Sequence, residues 1–251
     1  LTADFERRAQ SSGPEASGAS LVLGHILRQQ GRLDDAVVRY QRAAALAPGS
    51  PTPVLALAEL QRQSERHADA AASYERALTL GVAADQQGDV LRALVDLALA
   101  AGDVPRARTW HQRLVARTPG VLSVRRELGD ALLARRMYTD AIAELQSLAR
   151  SLAGDNRVLP PVLRDLGRAQ MQANQLDEAL ATLRRALSLA GANAGVRREL
   201  YDDMTELRTR RRELDAWVRE LDAQGGATWE RMMLLGRLHA EQGRLDQAEG
   251  T

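Results

Sequence analysis

The 251-residue chain contains no cysteine, which removes disulfides, thiolate metal sites and thiol nucleophiles. It contains no lysine either, so every cationic side chain other than histidine is arginine. Two explanations stand: a GC-rich coding sequence, or selection for forked donors that bind carboxylates. Aromatics make up 3% of the residues, with a single Phe, fewer large rings than an enzyme core and pocket of this size usually carry. An excess of one charge is also missing, since 34 arginines face 33 Asp and Glu for a formal net charge of +1. A general nucleic-acid or membrane-surface binder needs a basic excess, so neither partner is expected. The longest mainly apolar stretch, Val90 to Ala101, is broken by Arg92 and Asp96 and is too short to span a bilayer. β-branched residues are sparse and no stretch alternates with period two, which argues against strands.

Chemistry-bearing arrangements are equally scarce. The four His residues (His25, His67, His111, His239) stand at no metal-ligand spacing, and there is no HExxH. No Ser lies in a nucleophile elbow, no Gly-rich loop is built to cradle phosphates, and the carboxylates are scattered through amphipathic stretches. No catalytic residue, cofactor or metal is nominated. Trp110, Trp217 and Trp229 read as packing residues. Arg208 with Arg210-Arg211-Arg212 is the densest basic run; with Glu206, Glu213 and Asp215 beside it, a solvated helix face is the plainer reading.

What is present is Ala and Leu in abundance, the composition of closely packed helices. Self-similarity organises them. Gly31-Arg-Leu-Asp-Asp-Ala36 is echoed by Gly243-Arg-Leu-Asp-Gln-Ala248 and by Asn174-Gln-Leu-Asp-Glu-Ala179. Anchoring on the Ala that ends each signature gives Ala36, Ala70, Ala107, Ala141, Ala179, a weaker Ala216, and Ala248, with separations of 34, 37, 34, 38, 37 and 32. A step of about 34 residues is the period of a two-helix repeat. Small residues recur because antiparallel helices approach closely only where side chains are small and a larger neighbour fills the gap.

These positions carry a specific resemblance. Leu23-Gly24, Ala36, Tyr40, Ala43 and Pro48 resemble one complete tetratricopeptide repeat. Leu57-Ala58, Ala70, Tyr74 and Ala77 resemble the next, and Leu128-Gly129, Leu166-Gly167 and Leu235-Gly236 continue the pattern. His111 and Leu145 replace the aromatic in the third and fourth units, and the unit around Met204 and Ala216 is out of register. The resemblance implies an all-α, right-handed α-solenoid of stacked helix-turn-helix repeats. Residues 1–16 read as the second helix of a preceding partial repeat, with the Ser-Gly stretch after it open to fraying. The array then runs over 17–50, 51–84, 88–121, 122–155, 160–193, a divergent 197–228 and a truncated 229–251. Neither end shows a polar cap and the chain starts at Leu1 without a leader, so it reads as an excerpt of a longer protein. The cytoplasm is the favoured compartment, with the periplasm suitable had a leader been removed.

In such arrays the first helices line a concave groove, and residues one period apart form columns. One column contains Leu21, Leu55, Arg92, Arg126, Arg164, Tyr201 and Met233; one turn on come His25, Glu59, Asp96, Asp130, Arg168, Thr205 and Arg237. The groove is expected to hold a protein or peptide partner. Arg92, Arg126 and Arg164 would receive acidic side chains or a terminal carboxylate. The plainer alternative is that Arg92–Asp96 and Arg126–Asp130 are i,i+4 pairs, each stabilising by only about 0.2–0.5 kcal/mol. Leu21, Val22 and Leu55 are either an apolar seat for a partner helix or residues buried by the preceding unit. The expected role is a non-catalytic scaffold. Two alternatives stay open: the regulatory or substrate-docking arm of a larger enzyme, and self-association through exposed end faces.

Overall fold

The computed structural model describes residues 2–223 and 228–241, and the repeat signature at 243–248 lies outside them. The described residues form fourteen α-helices and no strand. They fall into two compact units, Leu1–Val121 and Leu122–Thr251. In the first unit the helices are α1 (Thr2–Ala9), α2 (Pro14–Gln29), α3 (Leu33–Leu46), α4 (Pro51–Gln63), α5 (His67–Leu80), α6 (Gln87–Ala100) and α7 (Val104–Arg117). In the second they are α8 (Leu122–Ala134), α9 (Tyr138–Ser151), α10 (Leu159–Gln172), α11 (Leu176–Leu189), α12 (Ala194–Arg210), α13 (Leu214–Ala223) and α14 (Trp229–Glu241). Within each unit, consecutive helices pack as antiparallel pairs and the pairs stack on one another, the α-solenoid class. Among the described residues no helix is long and apolar enough to cross a membrane.

The two helices of each pair are joined by the same backbone device. Gly31, Glu65, Gly102, Arg136, Asn174 and Arg212 all adopt left-handed conformations, with φ between 57° and 76°. The residue after each one donates its N–H to the carbonyl five positions back, as from Arg32 to Leu27 and from Glu213 to Arg208, at 2.8–3.0 Å. This is the Schellman closure that satisfies the orphan carbonyls at a helix C-terminus. Glycine occupies only two of the six positions; the other four residues accept the left-handed strain because the turn between packed helices leaves the chain no alternative.

Counting from that turn makes the packing code explicit. Five residues on, Ala36, Ala70, Ala107, Ala141 and Ala179 are each 0% exposed. Seven residues before the turn stand Gly24, Ala58, Val95, Gly129, Gly167 and Thr205. A Cβ built on Gly129 would lie 2.8 Å from Leu145 Cδ2, one on Gly167 would lie 2.7 Å from Leu183 Cγ, and one on Gly24 would collide with the Tyr40 ring. Tyr40, Leu145 and Leu183 are themselves fully buried. The first helix thus lies directly against the large side chain of the second.

The sixth pair corrects the sequence register. Its turn residue is Arg212, so the buried anchor is Trp217 and not Ala216. A tryptophan stands where the other repeats carry alanine, and Thr205 faces it where three of them carry glycine. The Trp217 indole N–H donates to Thr205 Oγ1 at 3.2 Å, which satisfies the one polar atom this larger ring brings inside. At the N-terminus, α2 begins at Pro14, ahead of the expected start at 17, with proline in the first turn where its missing N–H costs nothing. The Ser-Gly stretch is ordered: Ser17 lies inside α2 and donates to the Ala43 carbonyl at 2.8 Å.

Replacing Gly167 with Ala should destabilise the second unit by about 1–3 kcal/mol, the cost of forcing a methyl into a packed interface. Leu183→Ala should cost about 2–5 kcal/mol on its own. In denaturant titrations the double variant should lose distinctly less than the two losses combined, because the new methyl enters the space that the leucine vacates.

Candidate partner-binding face

The first helices of each unit present the columns expected to face a partner, and the two units use them differently. In the first unit, Leu21 and Ala56 pack on the cluster of Ala36, Tyr40, Leu57 and Leu60. Leu55 and Ala93 pack on the next cluster, around Tyr74, Leu94 and Leu97. Both leucines are half-buried in the joints between repeats. One turn on, the side chains are tied to the tyrosines of their own repeats. His25 Nδ1 and the Tyr40 hydroxyl are 2.9 Å apart, and burial followed by the nearby Arg28 lowers the His25 pKa. Tyr74 donates to Glu59 at 2.5 Å, and burial with this bond raises the tyrosine pKa. Glu59 also accepts from Arg62 at 3.0 Å. Arg92 is exposed and pairs with Asp89 at 3.5 Å; Asp96 is exposed as well.

In the second unit the same columns form a ladder of ion pairs between successive first helices. Arg126 on α8 pairs with Asp165 on α10. Arg164 on α10 donates to Asp203 at 2.5 Å and to Glu199 at 2.6 Å, both on α12. Arg197 on α12 donates to Glu230 on α14 at 3.0 Å. Arg126 and Arg164 were expected to await a partner's carboxylates; they are already engaged, because an acidic residue sits one position further along the next repeat. Asp165 and Asp203 are buried, and the ladder is what compensates their charge. Desolvation still dominates: it pushes the Asp165 pKa up to about 6, against the pull of Arg126, and it raises that of Asp203.

The ladder leaves two charged groups of the column open. Arg168 is 55% exposed and reaches Asp203 only at 3.9 Å, and Asp130 is exposed. Asp130 and Arg168 line one cleft of about 390 Å³, together with Tyr138, Arg136 and Gln172. Tyr201 is misplaced by one position in the sequence reading. It is buried against Trp217, with ring centroids 6.3 Å apart, and the register counted from Arg212 puts Asp202 in the column. Asp202 pairs with Arg237 at 3.1 Å. Trp229 and Met233, one turn apart on α14, are 66% and 56% exposed and line a further cleft of about 390 Å³ with Arg198 and Arg237. The packing reading therefore holds for Trp217 but not for Trp229. Solvent exposure of a first-helix aromatic is the one signal that would have found it, and exposure is not written in the sequence.

The basic run is not an open patch either. Arg208 is buried, donates to Glu213 and Glu220 at 2.6 Å each, and lies over the Trp217 ring at 5.7 Å. Arg210 donates to Glu206 and Arg211 to Glu213. Among the described residues no group of His, Asp and Glu is placed to hold a metal ion.

Family models of the tetratricopeptide repeat match residues 27–79, 55–121, 92–156, 160–185 and 231–251. The chain belongs to the tetratricopeptide repeat family. Proteins of this family are typically non-catalytic repeat scaffolds, and the chain is a scaffold for protein interactions in that general sense. Among solved structures, the Naa15/Naa10 complex bound to HypK-THB is similar at a TM-score of 0.54 and 17% identity, over 92% of this chain and 38% of that one. A tetratricopeptide repeat protein from Parabacteroides merdae has a TM-score of 0.49 and 14% identity, over 93% and 90% of the two chains. YrrB, a TPR protein with an unusual peptide-binding site, has 0.45 and 17%, over 74% and 91%. At these identities the likeness is one of fold. No curated protein matches the chain in sequence.

Two outcomes test the ladder. Arg164→Ala should destabilise the second unit by about 3 kcal/mol, the order of cost for a buried charge left without its partner. Acidification probes Asp165. Its folded-state pKa of about 6 lies above the free value of 3.8, so the folded protein takes up this proton first. The charged form is penalised above pH 6, and the penalty is relieved as the pH falls through 6 towards 3.8. Melting curves of wild type and Asp165→Asn should therefore diverge with pH, the wild type gaining on the variant as the medium is acidified from pH 7 to 5.

Proposed function

We propose that the first-helix faces bind a peptide or helical segment of a partner protein, and that the chain carries no catalytic function of its own. The contact residues are Leu21, His25, Leu55, Glu59, Arg92 and Asp96 in the first unit, and Asp130 and Arg168 in the second. Arg126 and Arg164 serve this face as positioning residues: they hold its carboxylates in place and align successive first helices. Asp202, Trp229 and Met233 complete the second unit's face in place of Tyr201. The observation that carries the reading is Arg168, a half-exposed guanidinium beside a carboxylate already claimed by Arg164. Such a forked donor has capacity left for an incoming carboxylate. An acidic segment suits it.

The test separates binding from stability. Reversing Arg126 or Arg164 confounds the two, since either change strands a buried aspartate. Arg168→Glu leaves both Arg164 bonds to the ladder in place, so its melting temperature should fall far less than that of Arg164→Ala, with a loss of about 1 kcal/mol from the new carboxylate near Asp203. Affinity capture followed by titration of the recovered partner should show binding weakened about tenfold, the loss of one charge-assisted contact. Arg185→Glu, an exposed second-helix change on α11, should leave the affinity alone. Equal affinity of wild type and Arg168→Glu would remove the groove assignment.

A further inference from the structure

Between α12 and α14 lies the cleft of about 390 Å³ that Trp229 and Met233 wall. Its origin is a change of residue type within the repeat register. Aligned on Leu235-Gly236 against Leu166-Gly167, these two residues stand where α10 carries Pro160 and Arg164. The ladder also reverses here. On α8 and α10 the arginine of the column reaches forward to a carboxylate of the next first helix. On α12 that position is Asp202, and the arginine that meets it, Arg237, comes from α14. An apolar surface is left uncovered: Trp229 and Met233 are both more than half exposed, over a floor of buried Tyr201 and Leu234.

The charged residues that line the cleft are Arg198, Asp202, Glu230 and Arg237. Glu230 is buried and claimed by Arg197, and Asp202 is claimed by Arg237. Arg198 is exposed, one turn before Asp202 on α12, and has no carboxylate partner among the described residues. One uncompensated guanidinium therefore borders the apolar walls.

We infer that this cleft seats an apolar side chain of the partner segment, beside an acidic residue that Arg198 receives. The inference rests on the reading that the first-helix faces bind such a segment, and adds which residue types the segment carries. Trp, Tyr and Arg are the types that dominate binding hot spots, and all three meet here. The Met233 thioether chain adapts to the shape of what covers it. The free fork of Arg198 matches a carboxylate in charge and geometry. A small-molecule site encloses most of its ligand. Walls as exposed as Trp229 and Met233 cover one side only, which suits a side chain projecting from a segment laid across the helices.

The probes are the peptide acetyl-Gly-Phe-Asp-Gly-amide and two controls, one with Asn for Asp and one with Ala for Phe. Each is titrated into the full ¹⁵N-labelled chain while the Trp229 indole N–H signal, assigned with Trp229→Phe, is followed. The Phe-Asp peptide should shift this signal to saturation. It should bind about tenfold more tightly than the Phe-Asn control, the worth of one charge-assisted contact. The Ala-Asp control should bind more weakly still. Arg198→Gln should lower the Phe-Asp affinity to that of Phe-Asn, and Met233→Ala should weaken both. Both side chains are exposed, so the melting temperatures should stay near that of wild type. Three results would overturn the inference: no saturable Trp229 shift, equal affinity for Phe-Asp and either control, or an affinity unchanged in Arg198→Gln. A Trp229 shift that follows protein concentration and resists the peptide would overturn it too, by making a second copy the occupant. Arg168→Glu keeps the two readings apart. Weakened partner capture in Arg168→Glu alongside a silent Trp229 sinks this inference alone. Unchanged capture sinks the groove assignment, whatever the Trp229 titration shows.

Discussion

The contact on which the structure depends is the close approach of a first helix to a large residue of its partner, made through glycine in three of the six described pairs. Gly24 against Tyr40, Gly129 against Leu145 and Gly167 against Leu183 leave no room for a methyl group. That closeness fixes how far apart the two helices lie. The left-handed turn, closed by the same backbone hydrogen bond in all six described pairs, fixes how the chain reverses between them. With separation and reversal both set, each pair becomes a unit whose remaining apolar surface can be covered only by the next pair. The sixth pair shows that the arrangement is a matter of volume and not of identity: Trp217 takes the alanine's place, and Thr205 both faces it and accepts the hydrogen bond of its indole N–H.

Stacking pair on pair is achieved with two chemistries. The first unit joins its first helices through apolar residues, Leu21 and Leu55 seated in the clusters that span successive repeats. The second joins them through arginines that reach buried aspartates one repeat further on. A buried ion pair contributes little net stability compared with apolar packing, but the loss of either partner is costly. The second unit therefore resists change at its polar joints even though those joints are not its main source of stability. The absence of lysine bears on this. Each ladder arginine must satisfy a buried carboxylate at a fixed distance, and Arg164 bonds two carboxylates at once, a task for a fork of donors and not for a single ammonium.

For a scaffold the division has a functional side. Charges used up in joints are unavailable to partners, so the binding capacity of a first-helix face lies in what the joints leave over: Arg168, Asp130 and the exposed Trp229 and Met233. The second-helix side of the first unit offers a different environment, a cleft whose lining includes Ala71, Ala98 and the Trp110 ring.

The sequence by itself determined the helical class, the repeat period and the family, because those follow from local quantities. Small residues at fixed spacing, helix-favouring composition and turn signals are each legible within one repeat, and recurrence confirms them. It also placed five of the six described anchors, where alanine stands alone; at the sixth a neighbouring Ala216 drew the register one position off, since a buried tryptophan in an alanine's place has no local signature. What only the tertiary structure decided is which side chains are spent. Arg126 and Arg164 look available along one helix, where Asp130 and Arg168 are the neighbours at i+4. Their actual partners, Asp165 and Asp203, stand 39 residues downstream on another helix. Whether a charge meets a partner across a joint, whether Trp229 is covered, and whether two alanines leave a space are set by the distance between helices, and that distance exists only once the repeats have stacked.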